Sequence, residues 1–195
     1  SEELQLTKQG SSWRVDLGML RGRSLTDYRC HPLARAATPF TMEGLEAPLA
    51  NWITDAMCFG TGADVALYNR RSYRGIGLCQ GTVDQVDLVQ CSRPFEQYLV
   101  LVDLQGKDIL KVLEANIRDD DVDNGLEYLV QMSGASYAFD WSRAVGERIV
   151  KTTLLAERRY RVVLEGHVPE LGQGRSIFLA GQRETLQYRV TEVPF

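Results

Sequence analysis

The fold is decided by residues 98–104, YLVLVDL, and by residues 106–117, GKDILKVLEANI, which follow them. The first segment is almost wholly apolar and rich in β-forming residues, so it predicts a buried strand. In the second segment Ile109, Leu110, Leu113 and Ile117 fall on one helical face. The sequence therefore predicts a strand that passes at Gly106 into an amphipathic helix.

The same patterns continue on both sides of this unit. Residues 63–69, ADVALYN, predict a second buried strand, and apolar residues at helical spacing up to Met57 predict a helix. Thr41 is the expected N-cap of that helix, although Pro48 is tolerated only near its start. A short helix is predicted over residues 83–90, and further strands are predicted within residues 128–140, 148–155 and 160–166.

The order of these elements sets the fold class. Strands and helices alternate first and strands dominate later, so we predict an α/β (α+β) fold, a mixed β-sheet with flanking helices. Residues 12–30 alternate apolar and polar around a turn at residues 21–23, which predicts a short N-terminal β-hairpin.

Composition excludes several classes of protein. The 195 residues contain 26 acidic and 22 basic side chains, and this net charge of -4 argues against a nucleic-acid-binding surface. Hydrophobic residues make up 44%, which is enough for a sizeable core and excludes a disordered chain. The longest apolar run, at residues 98–102, is far shorter than the roughly 20 residues of a membrane-spanning helix.

Motifs for metal or nucleophilic chemistry are missing. Two isolated histidines, His31 and His167, cannot build a metal centre, and the four cysteines lack C-x-x-C spacing. Residues 119–123, DDDVD, begin like a calcium-binding loop, but Asn124 and Val130 stand where that loop needs Gly and Glu. We interpret this run as a solvated loop.

An arginine cluster follows the strand of residues 63–69. Arg70, Arg71 and Arg74 lie within five residues, and guanidinium groups suit phosphate and carboxylate oxygens. The cluster is equally consistent with a solvated loop that keeps the strand end soluble.

Longer stretches of the chain resemble the C-terminal domain of the 5'-nucleotidase family. They are PLANWITDAM, GADVALYN with RRSYR, RPFEQYLVLVDLQGKDILKVLE, LVQMSGASYAFDWSRAVGERIVKTTLL and RRYRVVLEGHVPELGQG, in the family's order and spacing over about residues 47 to 175. KQGSSWRVDLGML, in the first thirty residues, is similar to the strand pair that closes the family's preceding metallophosphatase domain.

This resemblance implies a nucleoside-binding site. The Asn and Arg of the family pattern N-G-G-G-I-R, which contact the ligand, fall on Asn69 and Arg74. The Phe of P-F-G-N, one half of an aromatic clamp on the base, falls on Phe95. The second clamp aromatic falls on His167, and the Asp that holds the ribose hydroxyls falls on Gln173.

Several of these positions depart from the family pattern. Imidazole offers less stacking area than a phenyl ring, and Gln lacks the charge that makes a carboxylate a strong acceptor. Arg70, Arg71 and Ser72 replace three glycines, whose backbone can approach a ligand closely. We expect at least one of Arg70 and Arg71 to point outward or to fill the pocket.

The resemblance also implies a domain organisation, and it assigns ligand recognition and hydrolysis to different domains. Residues 1–33 would be a remnant strand pair of the metallophosphatase domain, residues 34–46 a linker, and residues 47–195 the C-terminal domain. The chain would recognise a nucleoside or nucleotide without catalysing hydrolysis, since divalent metals would belong to the phosphatase domain. Its partners would be that ligand and a metallophosphatase domain or chain, with no nucleic acid and no membrane span. The family implies an extracellular or periplasmic location.

Two alternatives remain open. The chain could be a degenerate family member that serves as a protein-interaction or structural module. It could also be a specificity half that acts with a separate metallophosphatase chain.

Overall fold

The computed structural model describes residues 5–9, 12–16, 32–70, 73, 75–91, 98–119, 126, 128–165 and 188–194. The chain divides into two compact units, one of residues 1–40 and 75–93 and one of residues 41–74 and 94–195. Its elements are β1 (Gln5–Gln9), β2 (Ser12–Asp16), β3 (Ala34–Ala36), α1 (Pro48–Thr61), β4 (Val65–Asn69), β5 (Gly81–Val83), α2 (Gln85–Cys91), β6 (Tyr98–Gln105), α3 (Gly106–Ala115), β7 (Val130–Ser133), β8 (Tyr137–Phe139), β9 (Ile149–Thr152), β10 (Arg159–Glu165) and β11 (Tyr188–Pro194).

A mixed sheet of five strands, in the order β11-β6-β10-β4-β7, forms the centre of the larger unit. β10 runs parallel to β4, with Val162 opposite Val65, and antiparallel to β6, with Glu165 opposite Leu99. β11 pairs antiparallel with β6, and β7 pairs antiparallel with β4. The predicted mixed sheet is confirmed, and β4, β6 and β10 lie where the apolar runs predicted strands.

Apolar side chains cover the face of the sheet that packs against α3. Val65 and Leu67 of β4 alternate with residues of the other face and join a single buried cluster. Its remaining members are Val100, Val102, Leu104, Ile109, Val112, Leu113, Val130, Leu154, Tyr160, Val162 and Leu164. Because all five residues of β4 are buried, this strand is covered on both faces, as expected for the interior of an α/β sheet.

The junction between β6 and α3 depends on Gly106. A Cβ at this position would lie 2.2 Å from the carbonyl oxygen of Leu155, so the close approach requires glycine. The amides of Gly106 and Lys107 donate to the carbonyls of Arg158 and Ala156, both at 2.9 Å, which satisfies the first donors of the helix.

Helix α1 begins at Pro48, and the predicted N-cap at Thr41 is wrong. Proline lacks an amide hydrogen and its ring excludes a preceding helical turn, so it occupies the first position of the helix. The Thr41 carbonyl, rather than its side chain, accepts the Leu49 amide at 3.0 Å. At the other end Gly62 adopts φ 66° and closes the helix by donating to the Cys58 carbonyl.

The smaller unit contains two antiparallel strand pairs and α2. β3 pairs with β5, and β1 pairs with β2. Residues 12–16, the start of the predicted hairpin, form β2, and this strand pairs with residues 5–9 of β1. The predicted turn at residues 21–23 lies within residues 17–31, which are outside the described residues.

The short helix predicted from residue 83 begins at Gln85 because Asp84 caps it. Asp84 Oδ1 accepts the Val86 and Asp87 amides at 2.8 and 2.9 Å, and Asp87 Oδ2 accepts the Asp84 amide at 2.9 Å. This reciprocal arrangement is a capping box.

The described cysteines Cys58, Cys79 and Cys91 are free thiols. Burial raises the pKa of the Cys91 thiol to about 11, whereas the Cys79 side chain is exposed. Since the thiolate is the nucleophile, a thiol with a raised pKa stays protonated and unreactive at neutral pH.

We therefore expect iodoacetamide at pH 8 to alkylate Cys79 at least about tenfold faster than Cys91 in the folded chain. Quenched time points analysed by peptide mass spectrometry measure both rates, and the same experiment in urea is the control, since unfolding should equalise them. Equal rates in the folded protein would contradict the buried position of Cys91.

Candidate functional site

Three strand ends meet at one edge of the central sheet. β4 and β10 are parallel, so Asn69 and Glu165, their last residues, end at the same side. β6 is antiparallel to β10 and begins there at Tyr98. We call this side, with Asn69, Arg70, Tyr98 and Glu165, the carboxyl edge. Ligands of open α/β sheets commonly bind at such strand ends.

Arg70 follows β4 and is buried at the carboxyl edge, with 6% of its surface exposed. Its guanidinium Nη1 donates to the Gly44 carbonyl at 2.6 Å, and Nη2 donates to the Met42 carbonyl. The Tyr73 amide donates to the Arg70 carbonyl at 3.0 Å and continues the turn. Arg70 therefore ties the loop after β4 to the segment before α1 and points into the protein.

Gln131 holds the same segment from β7. Its Oε1 accepts the Ala47 amide at 3.1 Å and its Nε2 donates to the Leu45 carbonyl at 2.9 Å. The side chain is buried, so both amide atoms replace hydrogen bonds that water would otherwise supply. Together Arg70 and Gln131 fix residues 42–47 beside the strand ends.

Glu165 places a carboxylate at the carboxyl edge, with only 2% of the residue exposed. A charged side chain is rarely buried so completely without a structural or functional reason. Sequence reasoning did not select this residue, because a Glu after an apolar run usually marks a solvated strand end. The signal was its position in YRVVLEG, where it matches the Asn of the family pattern Y-R-V-x-x-N.

The structure places one of the five predicted site residues. Asn69 is the last residue of β4, is 9% exposed and lies opposite Val130 of β7. Arg74, Phe95, His167 and Gln173 lie outside the described residues, so their predicted roles stay predictions.

The described residues include no group of three or more His, Cys, Asp or Glu side chains that could hold a metal ion. In the run of residues 119–123, the Asp119 carboxylate accepts a hydrogen bond from Arg148 Nη2, and the residues after it lie outside the described part of the chain. None of the helices in that described part is long and apolar enough to cross a membrane.

Comparisons with known proteins agree with this topology. The family model described as 5'-nucleotidase, C-terminal domain, matches residues 32–179. The solved structure of a 5'-nucleotidase precursor from Thermus thermophilus is 27% identical, with a TM-score of 0.72 over 87% of this chain. Among curated protein sequences no significant match is found.

Two more distant structures share the fold alone. The NAD nucleotidase of Haemophilus influenzae is 16% identical, with a TM-score of 0.68 over 87% of this chain, and covers 34% of that protein. A sulfate thiohydrolase of Thermus thermophilus is 19% identical, with a TM-score of 0.57 over 76% of this chain, and covers 30% of that protein. The chain spans about a third of the length of these relatives, 36% in the case of the 5'-nucleotidase precursor.

Replacing Arg70 tests whether its guanidinium fastens the segment before α1. We expect Arg70→Met to lower the free energy of unfolding by about 1.5 to 3 kcal/mol, because two carbonyls lose charged donors. Arg159→Met, which removes an exposed arginine of β10, is the matched control and should change stability by less than about 0.5 kcal/mol. Urea unfolding followed by circular dichroism measures both, and equal effects would mean that the carbonyl contacts contribute nothing.

Proposed function

Because this chain belongs to the 5'-nucleotidase C-terminal domain family, we propose that it is a nucleoside- or nucleotide-recognition domain that does not catalyse hydrolysis by itself. The observation that carries this proposal is the convergence of β4, β6 and β10 at the carboxyl edge. Four of the five predicted ligand-contacting residues lie within five residues of one of these strand ends in the sequence. Asn69 and Arg74 stand at or after the end of β4, Phe95 three residues before β6, and His167 two residues after β10.

Each residue has a distinct proposed role. Phe95 and His167 stack on the two faces of the base, which requires two planes about 7 Å apart. Asn69 hydrogen-bonds the base edge, and Arg74 binds the ribose or phosphate side. Gln173 accepts one ribose hydroxyl, as a neutral substitute for a carboxylate.

Hydrolysis is assigned to a metallophosphatase domain or chain that works with this one. A dinuclear metal centre needs several histidine and carboxylate ligands, and the 195 residues contain two widely separated histidines. The chain accordingly has no resident cofactor in this proposal. Its proposed location is extracellular or periplasmic, in keeping with the relative described as a precursor.

Arg70 favours a second candidate function, a structural or protein-interaction module. It stands where the family pattern has a glycine, and its buried guanidinium occupies space beside the strand ends. Its guanidinium donates to the Met42 and Gly44 carbonyls, and these contacts within the chain stabilise the edge. Ligand titration separates the two functions.

Titration calorimetry with adenosine and AMP tests the recognition function. We expect measurable binding that Arg74→Ala weakens by about 1.5 to 3 kcal/mol, the scale of a charged hydrogen bond. Phe95→Ala should weaken it by about 1 to 3 kcal/mol through lost stacking.

Matched controls exist for both substitutions. Phe59→Ala removes a ring that is 93% exposed on α1, and Arg159→Ala removes an exposed arginine of β10; neither should alter binding. Absence of binding by the parent chain would favour the module. If the parent binds, unchanged affinity in Arg74→Ala would contradict the proposed recognition site.

An activity assay tests whether the chain hydrolyses AMP without a metallophosphatase domain. The purified chain should release no phosphate from AMP above a buffer control with Mg²⁺, Mn²⁺, Co²⁺ or Zn²⁺, because its ligand inventory cannot position two metal ions. Metal-dependent turnover that persists through repeated purification would overturn this assignment.

A further inference from the structure

A groove of about 370 Å³ runs along β7, the last strand of the central sheet. Its floor is the consecutive segment of residues 129–136, which includes the whole strand. One wall is formed by Asn51 and Asp55 of α1 with Glu46, and the other wall is formed by Tyr137 and Phe139 of β8. Among the described residues β7 pairs with β4 alone, and all four residues of β7 line the groove.

The aromatic wall is held in place by its own contacts. The Tyr137 and Phe139 rings stack with centroids 5.9 Å apart, and Trp141 meets Phe139 edge to face at 4.6 Å. The Tyr137 hydroxyl donates to the Val130 carbonyl at 2.7 Å, which fixes the ring beside β7. These contacts preorganise an apolar surface before any partner binds.

The opposite wall carries negative charge. Asn51 Nδ2 donates to Glu46 Oε2 at 2.8 Å, and the Ser133 hydroxyl donates to Asp55 Oδ1. Each hydrogen bond orients a carboxylate and engages one of its oxygens, so the second oxygen can accept from a partner. The residues that line the groove include no Lys, Arg or His.

We propose that this groove binds an extended peptide segment with basic side chains, which adds a strand to β7. The second edge of β7, which pairs with no other described strand, would offer backbone donors and acceptors to such a segment. The aromatic wall packs the aliphatic stems of Lys or Arg, and the carboxylates of Glu46 and Asp55 receive their charged ends. The negative charges of Glu46 and Asp55 favour a basic peptide over an acidic one.

Fluorescence anisotropy with the 195-residue chain tests this proposal directly. The probe is a labelled seven-residue peptide of alternating Lys and Val, and the comparison peptides are an alternating Glu and Val peptide and an N-methylated copy of the first. The Lys peptide should bind at least about tenfold more tightly than either comparison, because one reverses the charge and the other removes backbone donors. Equal binding of the Glu peptide would overturn the charge selection, and equal binding of the N-methylated peptide would overturn strand addition.

A double variant tests the location. Glu46→Gln combined with Asp55→Asn keeps the oxygens that accept from Asn51 and Ser133 but removes both charges, and it should weaken the Lys peptide about five- to tenfold. Asp103→Asn combined with Glu147→Gln removes two exposed charges outside the groove and should leave binding unchanged. Circular dichroism checks that both variants fold. If both double variants change the affinity for the Lys peptide equally, the peptide binds elsewhere and the proposal is wrong.

Discussion

The parallel pairing of β4 with β10 is the constraint on which the rest of the larger unit depends. This pairing brings the carboxyl ends of β4 and β10, which lie far apart in sequence, to one edge of the sheet. All five residues of β4 and the last four residues of β10 are buried, so the paired parts of both strands lie within the core. At the start of β10, exposed Arg159 and Arg161 alternate with buried Tyr160 and Val162, so a change of register by one residue would exchange the two faces, and burial fixes the register there.

The parallel pairing of β4 with β10 also determines which side chains lie at the carboxyl edge. Arg70 and Glu165 are both buried at the carboxyl edge, where β4 ends at Asn69. The family pattern has glycine and asparagine at these two positions, so this chain differs from the pattern in the side chains that it buries at the carboxyl edge. A ligand that binds here meets an edge stiffened by the contacts of Arg70 and Gln131 with residues 42–47.

The elements that could be predicted from the sequence are those whose apolar residues, spaced as in a strand or a helix, are the residues that become buried. The apolar runs of β4, β6 and β10 and the helical face of α3 are of this kind. Thr41 failed as an N-cap because a local propensity was outweighed by the proline seven residues later. The sequence patterns do not predict β1, β3, β5 or β11, and β3 and β5 are only three residues long. Strand order depends on long-range pairing that no local pattern contains.

The candidate site was predictable to a smaller extent. Asn69 could be placed because it ends a clear strand, whereas the inward orientation of Arg70 depends on two carbonyls nearly thirty residues away in sequence. The burial of Glu165 depends likewise on neighbouring strands. Such contacts require the tertiary fold before they can be inferred.

The most direct test of nucleoside recognition at the carboxyl edge is a two-dimensional amide NMR titration of the isotope-labelled chain with adenosine. The account predicts that shift changes concentrate at Asn69, Arg70, Tyr98 and Glu165 and at their sequence neighbours, and that they saturate together. Saturating changes confined to other surfaces, such as the exposed face of α3, or no changes at all would contradict it.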